Sequence, residues 1–214
     1  MSSKLLEYHI TSSNYYDNKK ELEIIERMCN GFVSKNILEI GCGIGRLAPL
    51  IAQKGGNYTG VDSNKEFIGY CKKKYKTIKF LKATANKLAF ENDKFDAILY
   101  PWILPDVKNL SLVLKEGHRV LKEKGILICI DGTFFGDYGK LIKRFFNKEE
   151  LHRNLYFRKL RKFLKDLFEK IQAYQLVDIP YSFPNLEIVF KSVIMELKEL
   201  EKLKLTKANE EKIV

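Results

Sequence analysis

The 214-residue sequence predicts an α/β fold: a doubly wound, mostly parallel sheet of six or seven strands, with helices on both faces and a helical cap insertion. Three observations predict it. Short apolar runs, of the kind that strands buried on both faces show, recur between amphipathic helical stretches. Alternating glycines, Gly41, Gly43 and Gly45, join the first such run to helix-compatible sequence. The next apolar run ends on an acid, Asp62, which completes a strand–turn–helix–strand unit with a crevice at the carboxyl ends of its strands.

Length and composition set the bounds. The chain fits one domain with a sizeable core. A hydrophobic fraction of 45% with 30% charged residues describes a soluble globular protein. No run approaches the ~18 apolar residues of a membrane span, and the polar start MSSKLLEYHITSSN is not a signal peptide. Cys29, Cys42, Cys71 and Cys129 show no C-x-x-C spacing, so they read as reduced thiols of a cytoplasmic protein, and no metal site is expected. The net charge of +11 is carried by 31 lysines among 38 basic residues. Arginine, the better phosphate fork, is scarce, so a solvated surface is favoured over a nucleic-acid partner.

In chain order, residues 1–16 show no sustained period but contain Tyr8, His9, Tyr15 and Tyr16. Asp17 can cap a helix over about 18–32, with Leu22, Ile25, Met28, Cys29 and Phe32 inward and Gly31 near its end. Together residues 1–34 form an N-terminal helical segment, and 35–132 the core that follows. The core opens with a strand at Ile37–Ile40, the glycine turn, and a helix with Leu47, Leu50 and Ile51 on one face. A strand at Tyr58–Val61 leads to Asp62, after which Ser63 or Asn64 caps a helix to about Lys76. A third strand, about 78–82, runs into Ala83-Thr84-Ala85. Phe95–Tyr100 is the fourth, running into Pro101-Trp102-Ile103-Leu104-Pro105-Asp106. A helix over about 107–121 leaves His118 off its apolar face, and Ile126–Ile130 is a fifth strand ending at Asp131.

Beyond Asp131, the loop Gly132-Thr133-Phe134-Phe135-Gly136 lies at the carboxyl edge, and helical patterns over about 138–146 and 148–173 make residues 133–173 a cap. Between Lys140 and Lys170 there are eleven basic residues against four acids, but the aromatics fall on the apolar face. Residues 174–203 hold a sixth strand at Gln175–Tyr181 and a helix; 204–214 is a tail.

The glycine turn suits a nucleoside-containing cofactor. Glycine lets a ligand approach the backbone, a helix start offers N–H groups to an anion, and Asp62 is an acceptor suited to a ribose diol. The dinucleotide pattern G-x-G-x-x-G fails because its last glycine would fall on Arg46. The sequence reads E-x-G-x-G-x-G from Glu39 to Gly45, which resembles motif I of the class I S-adenosylmethionine-dependent methyltransferases, a Rossmann-like superfamily. Asp62, Phe95-Asp96-Ala97-Ile98 and Leu121–Gly125 resemble further motifs of that family, over about residues 15–131. The resemblance implies S-adenosyl-L-methionine as cofactor. It implies that Glu39, Gly41, Cys42, Gly43 and Gly45 hold the amino-acid end, the loop N–H groups meeting its carboxylate. Asp62 and Ser63 would take the ribose, Ala83, Thr84 and Ala85 the adenine, and Tyr100 and Pro101, with Tyr16 from the leader, would border the methyl. Thr84 stands where the family commonly has an acid. Trp102, Asp131 and Thr133 are the acceptor-side candidates, and no catalytic base is assigned, since Pro105-Asp106 stands where many small-molecule members carry histidine. The implied reaction is methyl transfer to a small or medium-sized acceptor. A tRNA or rRNA methyltransferase and a non-catalytic S-adenosylmethionine-binding protein are the alternatives.

Overall fold

The computed structural model describes residues 3–15, 18–131 and 149–168. Each apolar run forms a strand: β1 (Asn36–Ile40), β2 (Asn57–Asp62), β3 (Lys79–Lys82), β4 (Phe95–Pro101) and β5 (Leu121–Ile130). They make one sheet in the order β3-β2-β1-β4-β5, and every neighbouring pair is parallel. The described residues therefore show five strands where six or seven were expected. The sixth candidate, Gln175–Tyr181, lies outside the described residues, as do the loop at 132–136 and the first cap helix.

Burial on both faces explains the runs. Ile37, Leu38, Ile40, Ile98 and Leu99 are all buried, so both faces of β1 and β4 are covered along the middle of these strands. Side chains alternate across the sheet. On the Ile37 side lies helix α3 (Ala48–Gln53): a Cβ on Gly56 would meet both Ile51 and Ile37. Helix α4 (Lys65–Lys74) is capped by Asn64, which accepts from the N–H groups of Glu66 and Phe67 at 2.9 and 3.4 Å, so Asn64 rather than Ser63 is the cap. On the Leu38 side, helices α5 (Leu110–Val120) and α6 (Glu149–Leu167) share one core with Leu38, Ile40, Ile98 and Tyr100.

Helix α5 starts later than the sequence suggested. Leu104–Asp106 is a 3-10 turn, and Asn109, not Asp106, caps the helix by accepting from the Leu112 N–H at 3.1 Å. Its C-terminus passes directly into β5, whose register slips between the Phe95–Leu121 and Ala97–Ile126 pairs; the bulge at Lys122–Gly125 absorbs the extra residues. Helix α6 matches the second helical pattern of the expected cap. Leu160 is buried, with Tyr156, Phe163, Leu164 and Leu167 packed on the Leu38-side core, so this helix is part of the body of the fold. Its other side exposes Arg158, Lys159, Arg161, Lys162 and Lys165.

The described residues fall into two units that divide at Glu23. The first holds helix α1 (Lys4–Ser12), which the sequence pattern missed. Ser3 caps it, accepting from the Leu6 N–H at 3.2 Å. A 3-10 turn, Ser13–Tyr15, follows, and Tyr16 lies outside the described residues. Helix α2 (Asn18–Met28) buries Leu22 and Ile25, but Met28, expected inward, is exposed. The helix stops because Asn30 is left-handed (φ 52°), letting Asn30 and Gly31 donate back to the carbonyls of Arg27 and Glu26. Lys35 Nζ adds bonds to the carbonyls of Cys29 and Asn30.

Candidate functional site

The strand order reverses between β1 and β4, since β2 and β3 lie on one side and β5 on the other. In an open parallel sheet the crevice at the carboxyl ends beside such a reversal is where ligands bind. The glycine turn leaves β1 at that point. Gly41, Gly43 and Gly45 have φ of 76°, 52° and 72°, which L side chains rarely adopt. They serve different purposes. A Cβ on Gly41 would collide with Ile103, and one on Gly45 would press on Phe80 and Cys71 at 3.0 and 3.2 Å; a Cβ on Gly43 would meet nothing within 4 Å. Gly41 and Gly45 are thus required by the protein's own packing, and Gly43 alone faces open space.

The turn's N–H groups are largely committed within the chain. Gly41 and Cys42 donate to the Val61 carbonyl at 2.8 and 3.0 Å, and Gly45 donates to that of Cys42 at 2.8 Å. The Gly43 N–H donates to Asp62 Oδ2 at 2.9 Å. Helix α3 starts only at Ala48, after this turn. Those of Gly41, Cys42 and Gly43 fasten the turn to the end of β2, and that of Gly45 closes the turn on itself.

Asp62 is the pivot of this arrangement. Its Oδ1 accepts from the Asn64 N–H at 2.8 Å while Oδ2 holds Gly43, so the carboxylate is fixed in orientation. An ionised carboxylate offers about four acceptor sites, and two remain for a diol. Ser63 beside it is exposed. Ala83 reaches the same place, since its N–H donates to the Asp62 carbonyl at 3.1 Å and Asp62 pairs with Lys82. Thr84 is exposed and its carbonyl closes a turn with the Lys87 N–H at 3.0 Å, while Ala83 and Ala85 are half-buried against the core.

Glu39 lies inside the sheet, at the root of the turn. It is 1% exposed and accepts a 2.6 Å hydrogen bond from the Tyr58 hydroxyl. Burial, with the Glu39 charge beside it, keeps the Tyr58 phenol protonated well above its ordinary range. Glu39 is thus held by the protein first, and any attraction for an ammonium group acts from inside the wall. Sequence reasoning missed Tyr58, although a carboxylate on an interior strand demands a donor and Tyr58 lies on the neighbouring strand, opposite Ile37. Cys42 and Cys71 are buried behind the turn, and the Cys71 thiol lies 3.3 Å from the Gly43 carbonyl. The hydrogen bond with Cys71, followed by burial, pushes the Cys42 thiol up.

Across the reversal, β4 ends in Tyr100, Pro101 and Trp102. The Tyr100 side chain is fully buried; its hydroxyl donates to the Val113 carbonyl of α5 at 3.0 Å and fills the space over Gly117. The Tyr100 side chain is thus committed to the core beneath α5. Pro101 is buried, whereas Trp102 is exposed with φ 62°. Its N–H donates to the Ile130 carbonyl at 2.8 Å, tying the ends of β4 and β5. Asp131 follows β5, half-buried; Thr133 lies outside the described residues. His118 is exposed on α5 with its ring edge-on to Phe168 at 5.1 Å. No cluster of metal-ligating side chains occurs among the described residues.

The open face of Gly43, the oriented acid after β2 and the half-buried alanines after β3 together fit an adenosyl group, with room where a Cβ would otherwise stand. Residues 38–129 match the family described as a methyltransferase domain. The chain is 32% identical over 111 residues to a ubiquinone/menaquinone biosynthesis C-methyltransferase of Rickettsia prowazekii, covering 46% of this chain and 45% of that one. It is 28% identical over 137 residues to a ubiquinone biosynthesis O-methyltransferase of Actinobacillus pleuropneumoniae, covering 60% and 56%. The chain thus spans about half the length of these relatives. Among solved structures, a putative S-adenosylmethionine-dependent methyltransferase of Methanococcus maripaludis shares the fold, with a TM-score of 0.59 at 16% identity over 74% of this chain and 80% of that one. Residues 38–129 thus match a methyltransferase domain, and the described fold is one that a solved methyltransferase shares.

Proposed function

We propose that the protein transfers a methyl group from S-adenosylmethionine to a small or medium-sized acceptor. The observation that carries this reading is the pairing of Gly43, open on its ligand side, with Asp62, whose two oxygens are each fixed by a backbone N–H. The cofactor supplies a methyl group made electrophilic by its sulfonium. What the chain supplies is position. Asp62 takes the ribose hydroxyls with Ser63 beside it, Ala83–Ala85 border the adenine, and Gly43 lets the cofactor lie against the backbone. Glu39 attracts the ammonium end through the wall, and Pro101 and Trp102 limit where an acceptor can stand, with Tyr16, Asp131 and Thr133 as further candidates. Alignment of the reacting groups accounts for much of the rate in such reactions, so the lack of an assigned base is compatible with activity.

The relatives' names cover C- and O-methylation in quinone biosynthesis, which supports a small organic acceptor over RNA. We place the protein in the cytoplasm; no described helix is long and apolar enough to cross a membrane, and all four cysteines are free. The sixth strand at 175–181 and an acceptor-binding role for 133–173 belong to the same proposal.

Calorimetry tests it: S-adenosylhomocysteine should bind and NAD should not, and the reverse result would overturn the reading. The basic side of α6 gives a second test. Reversing Arg158, Lys162 and Lys165 to Glu should leave methyl transfer nearly unchanged, whereas RNA binding that falls by orders of magnitude between about 50 and 200 mM salt would favour an RNA substrate.

A further inference from the structure

We infer that Trp102 recognises the acceptor, as a stacking wall for a planar aromatic ring at the β1/β4 crevice; this rests on the methyl-transfer reading above. The backbone is the first ground. At φ 62° Trp102 holds a conformation that bulky L residues rarely adopt, and which persists only where the surroundings impose it. Among the described residues, the other left-handed non-glycine residues are the small and polar Asn30, Ser34 and Asp93. The Trp102 N–H donates to the Ile130 carbonyl, tying the residue to the place where β4 and β5 end.

The side chain is the second ground. Trp102 is 36% exposed, while Tyr100 and Leu104 on either side are 0% and 3% exposed. Met28, Val33 and Leu112 are the other large hydrophobics exposed among the described residues, so Trp102 is the one aromatic in that set. The backbone conformation thus turns out an indole where its neighbours turn in.

Location is the third ground. Ile103, the next residue, packs on Gly41 at the root of the glycine turn. Trp102 is therefore one residue from a direct contact with the turn, whose open member is Gly43. An indole presents a wide, flat, uncharged π surface, and such surfaces select flat rings by offset or edge-to-face packing. An aromatic acceptor is the substrate class this arrangement fits.

The chain has a single tryptophan, so its fluorescence reports on this residue alone. With S-adenosylhomocysteine saturating, catechol should quench the emission saturably, and the non-planar cyclohexane-1,2-diol should not. Trp102→Leu should bind S-adenosylhomocysteine within about twofold of wild type and catechol about three- to tenfold more weakly by calorimetry, and Trp102→Phe should restore most of the loss. Trp102→Gly should melt no lower than Trp102→Leu, since glycine relaxes the left-handed backbone. Equal responses to the two diols, unchanged catechol binding by Trp102→Leu, or loss of its cofactor binding would each overturn the inference while leaving methyl transfer standing. Failure of the wild-type protein to bind S-adenosylhomocysteine would instead remove the methyl-transfer reading, and this inference with it.

Discussion

At the amino ends of the strands, Asp96 draws three segments together: Oδ2 accepts from the Asn36 N–H at 2.8 Å at the start of β1, and Oδ1 pairs with Lys122 of β5 at 2.7 Å. At the carboxyl ends Asp62 uses the same residue type and the same kind of bond, but takes two backbone N–H groups and no cation. The backbone differs in the same sense. The carboxyl ends carry three left-handed glycines and a left-handed tryptophan. One acid closes the sheet and the other holds a turn open, and what separates them is whether a lysine completes the pair.

The largest effect should come from Gly41. Gly41→Ala combines a left-handed backbone with a Cβ driven into Ile103, and should cost about 2–4 kcal/mol of stability in chemical denaturation. Gly43→Ala meets no protein atom, so it should cost only about 1–2 kcal/mol there while weakening S-adenosylhomocysteine binding. Equal destabilisation by the two would erase the distinction between a packed and an open glycine.

Asp62→Ala comes next. Losing an acceptor that both orients the turn and meets the ribose should reduce S-adenosylhomocysteine affinity by about one to two decades in calorimetry, from roughly 1.5–3 kcal/mol. Asp96→Asn should leave that affinity unchanged and lower stability by about 1–2 kcal/mol. Burial alone would raise the Asp96 carboxyl, but the bonds from Lys122 and Asn36 outweigh it and hold the carboxyl below its usual range. Its contribution is therefore present above the unfolded pKa of about 3.9 and lost as pH falls through the folded value. Denaturation curves of wild type and Asp96→Asn should converge in acid, below about pH 4; a gap that persists there would show that the bonds are not electrostatic in origin.

The smallest effect is reserved for Thr84. Thr84→Asp should leave melting unchanged and tighten S-adenosylhomocysteine by a few-fold, as a charged acceptor replaces a neutral one. No change would place the adenine away from this exposed turn.

The five strands were legible because each is an apolar run buried on both faces, and Asp62 because it stands where β2 ends. The fate of Glu39 was not legible. Its spacing from the glycines is visible in the sequence, but its bond to Tyr58 depends on strand register, which joins residues 19 positions apart. Tyr100 was legible in position but not in direction, for a related reason. It lies in the right place along β4, but side-chain direction alternates from residue to residue, and the missing Cβ at Gly117 opens a hollow for it on the core side. Helix α1 escaped because nine residues from Lys4 to Ser12 bury only Leu6, too little to set a period. The place of Trp102 at the end of β4 was legible; its left-handed backbone and its bond to Ile130 join two strands and are encoded in no local pattern.

Tyr100 and Gly117 have a consequence for how this chain can vary. The tyrosine hydroxyl occupies the hollow left by the glycine and is anchored to the Val113 carbonyl, so α5 is pegged and cannot slide along β4. Neither residue can change alone: a side chain at 117 needs a smaller residue at 100, and a smaller residue at 100 leaves a void beside Gly117. The two positions should covary among related chains as a unit, and a chain that has lost the tyrosine should be free to set α5, and the β5 end that follows it, at a different height.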